Sequence, residues 1–281
     1  MRGVIPAVVI DAIERRTQRR VVDLFDMISG TSIGGLITCS LAAGLSGFDI
    51  IDLFRSHGRD IFPGKLSMSV RGLFSSKATR LCSLLSDMLG ETLLSECKYI
   101  LVPSYDIRSM NPFLFRSKEA ATHRDFDFRL VDVAMAACAA PTYFEPAKIR
   151  SVSGLEYNCL DGGLFANNPS MIAYVDMIKS EYVRNEDIMM VSIGTGRSFG
   201  PVAGGGWGLS NRIRPILEIM YDGIGDTVSH ELSHILPFGH YVRFQVMANG
   251  RLDDISRVDE HIEAAGRIVA SNEFGRLCRV L

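Results

Sequence analysis

Val21-Val22-Asp23-Leu24-Phe25-Asp26-Met27-Ile28 runs into Ser29-Gly30-Thr31-Ser32-Ile33-Gly34-Gly35, and that turn runs into the apolar stretch from Leu36 to Leu45. Val21 to Ile28 reads as a short buried strand, and Ile33 to Leu45 as an apolar helix ended by Gly44 and Gly47. The junction fits G-x-S-x-G. A sharp strand-to-helix turn requires small flanks, because a Cβ at Gly30 or Gly34 is expected to collide with neighbouring backbone. Such a turn pushes the Ser32 hydroxyl clear of the sheet. The helix beginning at Ile33 aims its free N–H groups and the positive end of its dipole at the same spot, which places the Ile33 amide to receive a developing oxyanion. Ser32 is the candidate nucleophile, and an ordinary glycine-rich turn is the alternative.

The flanking sequence keeps the same α/β punctuation. Ile5, Val8, Val9, Ala12 and Ile13 recur at helical spacing and close in Arg15, Arg16, Arg19 and Arg20, where cations suit the helix C-terminus. Helices are predicted around Ile50 to Arg59, Leu81 to Leu89 and Leu130 to Ala139, with strands at Tyr99 to Ile107, Tyr157 to Leu160 and Ile188 to Ile193. Asn168 and Pro169 make a cap-and-first-turn start for a helix through Lys179. Alternation of this kind implies a three-layer α/β/α arrangement with a mainly parallel central sheet covered on both faces. The 281 residues are read as one domain spanning 1–281, with the Gly200 to Gly208 run connecting elements inside it.

Composition excludes several classes. Thirty Lys and Arg against 32 Asp and Glu leave a net charge of −2, so bulk electrostatics give no pull towards nucleic acid. Six cysteines without a C-x-x-C pair fit buried thiols in a reducing compartment, and the expected location is cytoplasmic. Val4 to Ile10 is too short for a signal core, and no segment approaches the roughly 20 apolar residues of a membrane span. Contact with membranes is therefore expected to be peripheral.

A serine nucleophile needs a base, and Leu160-Asp161-Gly162-Gly163 supplies a second special turn after a short strand. Two glycines after the acid let another backbone or a substrate approach closely, although an Asp-Gly pair alone is often a simple turn. Together, Gly30 to Gly34, the segment Ala139-Ala140-Pro141-Thr142-Tyr143-Phe144 and Leu160 to Gly163 with Asn167-Asn168-Pro169 resemble the patatin-like phospholipase family. Ser192-Ile193-Gly194-Thr195-Gly196 and Tyr241-Val242-Arg243-Phe244-Gln245 extend the likeness over nearly the whole chain. The resemblance implies a lipid acyl hydrolase of the phospholipase A or lysophospholipase type, working through an acyl-enzyme with Ser32 as nucleophile and Asp161 as general base. It implies a lipid substrate and no cofactor. The family also carries a D-G-G-G-x-R-G oxyanion loop, of which Arg2 and Gly3 match only the tail, so a catalytically silent interaction module is the alternative reading.

His230-Glu231-Leu232-Ser233-His234 fits H-E-x-x-H, with His240 where a zinc peptidase places a third ligand. Against this, Pro237 stands where that motif needs glycine, and Ile224, Val228, Leu232 and Ile235 form an apolar face that turns His230 and His234 towards solvent. A metal site is not expected. One of these histidines could alternatively complete a Ser32-Asp161-His triad in α/β-hydrolase order. On the substrate side, Phe62 to Lys77 reads as an interfacial lid or docking loop, and Asn111 to Lys118, with Phe113, Leu114 and Phe115 before Arg116 and Lys118, as an acyl-cleft lining or a buried strand.

Overall fold

The structure is a computed structural model that describes residues 2–61, 71–141, 143–181, 183–197, 209–248 and 255–281. Residues 62–70 of the expected lid, and the Gly200–Gly208 run, lie outside the described residues. The first helix, α1 (Val4–Thr17), is followed by a single turn, α2 (Val21–Leu24), and the short strand β1 (Ile28–Ser29). Next come α3 (Ile33–Ala42), α4 (Gly47–Ile61), α5 (Arg71–Leu89), β2 (Ile100–Asp106) and β3 (Asn111–Arg116). The turn α6 (Ser117–Ala120) and helix α7 (Leu130–Ala137) precede β4 (Ala147–Arg150) and β5 (Glu156–Asp161). The chain continues through α8 (Gly163–Ala166), α9 (Ser170–Glu181), β6 (Met190–Ile193), α10 (Leu209–Ile235) and β7 (Tyr241–Phe244), and ends in α11 (Val258–Val269) and α12 (Asn272–Val280).

The expected strand at Val21 to Ile28 is corrected: only its last residue is in a strand. The Glu14 carboxylate accepts from the Arg20 Nε and the Val21 N–H, and the Arg20 carbonyl accepts from the Asp23 and Leu24 amides, so this stretch closes into a helical turn. Extended pairing begins where the chain reaches β2, with Ile28 N–H donating to the Tyr99 carbonyl and Gly30 N–H to Leu101.

The sheet is organised on β2. Leu101 pairs with Ser29 of β1 and with Arg116 of β3, so β1 and β3 lie on opposite edges of β2. Ser104 likewise pairs with Phe113 of β3 and Asp161 of β5, which puts β5 on the same edge as β1. Because β1 runs parallel to β2 and β5 antiparallel, their ends face each other across a gap from Leu101 to Ser104, roughly 10 Å at the strand repeat. Pro103 occupies that gap. Its missing N–H falls on the edge where Leu101 meets β1, at a position with no strand to receive it, so a proline in a central strand breaks no ladder bond. The remaining antiparallel pair is β4 with β5, while β6 and β7 form a second parallel pair.

Side chains alternate across β2, and each face carries a helical layer. A Cβ on Gly35 of α3 would touch both Val102 and Ala137 of α7, which places α3 and α7 on the Val102 face. The Tyr105 ring meets Phe165 of α8, and Gly162 rests on Pro103, so α8 covers the opposite face. The layering is the three-layer α/β architecture expected from the sequence, and the sheet is mixed: β1 is parallel to β2, whereas β3 and β5 run antiparallel to β2 and β4 antiparallel to β5. Among the described residues no helix is long and apolar enough to cross a membrane.

The segment Asn111 to Lys118 takes the buried-strand alternative. Phe115 packs at 5.1 Å from Phe128 and 4.9 Å from Phe113, and Phe113 meets Tyr157 at 4.8 Å, so these rings form an aromatic cluster at the β3 edge. None of them lines the cavity beside Ser32. Phe115→Ala is expected to cost about 3–5 kcal/mol of stability, read from urea unfolding, while the KM for a soluble ester stays unchanged.

Candidate active site

Ser32 sits between β1 and α3 with φ 57° and ψ −124°, a backbone conformation that side-chain-bearing residues seldom adopt. The strain is held by its neighbours. A Cβ on Gly30 would stand 2.1 Å from the Gly34 carbonyl oxygen, so only glycine fits there. Thr31 donates from its hydroxyl to the Ala166 carbonyl at 2.6 Å, which ties the serine turn to α8. Gly34 departs from the expectation: a Cβ there meets nothing within 4 Å, because the position already belongs to the first turn of α3 and faces the cavity.

Asp161 arrives from the other side, at the end of β5, and is 2% exposed. Gly162 makes that approach possible, since its missing Cβ would lie 2.4 Å from the Pro103 carbonyl oxygen. The Gly163 N–H donates to the Asp161 Oδ1 at 2.8 Å, and the Ser32 hydroxyl beside the carboxylate also favours its charged form. Burial outweighs both effects and pushes the carboxyl up to about 6. Tyr221 of α10 stands beside it, within 3.5 Å of the place a Gly163 Cβ would take, and burial followed by the charge of Asp161 pushes its phenol up to about 12. The Cys138 thiol lies 3.9 Å from the Ser32 carbonyl oxygen, and burial raises it well above the ordinary thiol range.

Gly3 precedes the first residue of α1 and presses on the first residue of α3: its missing Cβ would stand 2.6 Å from Ile33 Cγ1. Two helix N-termini therefore meet beside Ser32. Arg2, read as a possible oxyanion residue, sends its guanidinium elsewhere, to the carbonyls of Gly196 at 3.0 Å and Ala248 at 3.2 Å. It clasps the start of α1 to the segments that follow β6 and β7.

A cavity of about 440 Å³ opens onto Ser32 and Asp161. Part of its wall is a buried polar network that sequence reading had not assembled. Asn168 reaches Gly225, Ser229 and Tyr241, its Oδ1 accepts from Ser170, and the Ser192 hydroxyl accepts from Ser170 and from Arg243 at 2.6 Å. The signal for it lay in the motif segments Asn167-Asn168-Pro169, Ser192 to Gly196 and Tyr241 to Gln245, which the fold brings to one wall. The histidines are separate from this site. His230 and His234 are exposed on α10 with ring centroids 4.3 Å apart, and His240 offers its Nδ1 to the Ile188 carbonyl at 3.0 Å. The expected apolar face of α10 is corrected in one position, with Leu236 buried beside Leu232 and Ile235 exposed. Among the described residues no group of three His, Cys, Asp or Glu is arranged to hold a metal.

Ser32, on a strained turn, and the buried Asp161 line one cavity, an arrangement with which ester hydrolysis is chemically compatible. Comparison with known proteins gives the family. The model of patatin-like phospholipases matches residues 1–174. Patatin-like protein 2 of Arabidopsis thaliana is 31% identical over 87% of this chain and 73% of its own length. Patatin-like protein 6 of the same plant is 32% identical over 89% of this chain and 57% of the relative. The cGAMP-activated phospholipase of Escherichia coli (strain TW11681) is 31% identical over 69% of this chain and 59% of the relative. The chain belongs to the patatin-like phospholipase family, and membership supports lipid acyl hydrolase activity.

The two glycines of the serine turn are expected to respond oppositely to alanine. Gly30→Ala forces a Cβ into backbone and should cost more than about 2 kcal/mol, whereas Gly34→Ala, an open helical position, should gain about 0.5–1 kcal/mol. Urea midpoints of the two variants measure the difference.

Proposed function

We propose that this protein hydrolyses the carboxyl ester of a lipid through Ser32 and Asp161. The observation that carries the reading is a buried carboxylate placed beside the hydroxyl of a strained serine at the start of α3. In the first half-reaction Asp161 takes the hydroxyl proton as Ser32 Oγ attacks the ester carbonyl. The tetrahedral intermediate collapses to an acyl-serine, and the same carboxyl returns the proton to the departing alcohol. In the second half Asp161 takes a proton from water, hydroxide attacks the acyl-serine, and the proton passes back to Ser32 Oγ as the fatty acid leaves. The oxyanion falls beside the Ile33 N–H and the start of α1 at Gly3, where two helix dipoles favour negative charge. Arg2 serves this site by fixing the start of α1, and Gly30, Gly162 and Gly163 by letting the two turns approach.

A carboxylate is a weaker base than imidazole, and burial compensates in part. A carboxyl near 6 accepts a proton more readily than one at the ordinary 3.8, yet it is still ionised at neutral pH. The substrate is reached by peripheral contact with a lipid surface in the cytoplasm. No step requires a metal or cofactor.

Ser32→Ala and Asp161→Asn should each lower kcat/KM on a short-chain ester by about 10³-fold or more, and Ser32→Ala should abolish labelling by a fluorophosphonate probe. His230→Ala, His234→Ala and His240→Ala should stay within a few-fold of the parent. A single histidine variant falling to the Ser32→Ala level, with Asp161→Asn milder, would replace this reading by a triad.

Activity and stability should depend on pH in opposite directions. The base must be ionised, so kcat/KM should be flat above about pH 7 and fall tenfold per unit below about pH 6. The folded carboxyl titrates above its unfolded value of 3.8, so the folded state binds more protons between roughly pH 4 and 6, and its stability falls as pH rises through that window. The ionised Asp161 thus costs on the order of 1–3 kcal/mol at pH 8, and Asp161→Asn should raise stability there by that amount in urea titrations while removing activity.

A further inference from the structure

The cavity beside Ser32 has two limbs of different chemistry. One is walled by the polar network of Asn168, Ser192 and Arg243, together with Gln245. The other follows a seam between α1 and α3. Ile33, Ile37 and Leu41 line it from α3, at one residue per turn, and Pro6, Ile10 and Ile13 line it from α1. Both helices begin beside Ser32, where Gly3 touches Ile33, so the seam starts at the reactive hydroxyl and leads inward. Its far end is closed by Val21 of α2 and Leu81 of α5, which are 6% and 1% exposed. Ile13 and Leu41 stand there too, at 1% and 2%. A wall of this composition takes an alkyl chain and rejects a polar headgroup, since an unpaired polar group there would lose its hydration without replacement.

We infer that the α1–α3 seam is the acyl-chain site, and that Ile13, Val21, Leu41 and Leu81 form a floor that sets the longest chain accepted. The inference rests on the reading of Ser32 as the nucleophile. From Ser32 to Leu41 the helix rises about 13 Å at 1.5 Å per residue. An all-trans alkyl chain advances about 1.2 Å per bond, as extended backbone does, so the seam holds about ten carbons. The leaving alcohol, with whatever headgroup it bears, then lies towards the polar limb. The preferred substrates are esters of medium-chain acids, and longer chains must leave their distal carbons outside the seam.

The test compares p-nitrophenyl butyrate, decanoate and hexadecanoate. In the parent protein kcat/KM should peak near ten carbons. Ile37→Trp fills the seam midway and should lower the decanoate-to-butyrate ratio of kcat/KM at least about 30-fold, since each buried methylene contributes about fourfold. Leu41→Ala removes part of the floor and should move the best chain length two or more carbons upward, a gain that misfolding cannot produce. Ratios unchanged in both variants would overturn the assignment. Calorimetric titration of 1-decanol into Ser32→Ala protein separates this inference from the catalytic reading. Binding weakened tenfold by Ile37→Trp, in a protein whose parent shows no Ser32-dependent hydrolysis, would keep the seam and reject the nucleophile. Ser32-dependent hydrolysis with decanol binding indifferent to Ile37→Trp would do the reverse.

Discussion

A carboxylate placed almost wholly out of water, with one backbone amide donating to it and a serine hydroxyl beside it, is the constraint around which this molecule is built. Desolvation alone would expel or neutralise Asp161, and its position is therefore fixed by backbone rather than by attraction. The fixing is done at β2. That strand pairs on one edge with β1 coming up and β5 coming down, and the two ends stop three residues apart. Pro103 fills the interval without needing a partner, and Gly162 lets β5 turn away directly on top of it. Ser32 and Asp161 meet because two strands end against the same stretch of a third.

The second support comes from the polar wall. Asn167 donates to the Tyr221 carbonyl at 2.9 Å, and Asn168 reaches α10 and β7, so the segment that leaves Asp161 is tied to α10 before α9 begins. Arg243 is half-buried, and the loss of hydration lowers its guanidinium below the ordinary value. It donates to Ser192, which also accepts from Ser170. Buried polar groups linked in this way cost much if one member is removed, and they leave few alternative packings. The network thus holds α10, with Tyr221, against Asp161 in one arrangement.

How much of this was legible in the sequence follows from the kind of signal each part carries. Ser32 and its helix could be read because turn, cap and apolar period all lie within fifteen consecutive residues. Asp161 could be placed beside Ser32 only by resemblance, since their meeting depends on the register of β1 and β5 on β2, a tertiary fact with no local signature. Val21 to Ile28 misled because an apolar run this short suits a strand or a helical turn, and the Glu14 carboxylate decides the matter from seven residues away. Gly34 misled because the motif treats both glycines alike, whereas only Gly30 faces backbone. The Asn111 to Lys118 run was open to two readings, and aromatic partners at Phe128 and Tyr157 settled it.

The features that would make the proposed site reactive weaken the fold locally, and the cost is spread over distant elements. A serine with positive φ and a buried charge each oppose folding, the first by about 1–3 kcal/mol. Neither is compensated on the spot. The serine turn is held by Thr31 on α8, the start of α1 by Arg2 on the segments after β6 and β7, and the seam by α4, which packs along α1, and by α7, which packs along α3. The architecture that holds a buried carboxylate in place is therefore also the one that shapes the apolar wall of the cavity beside it.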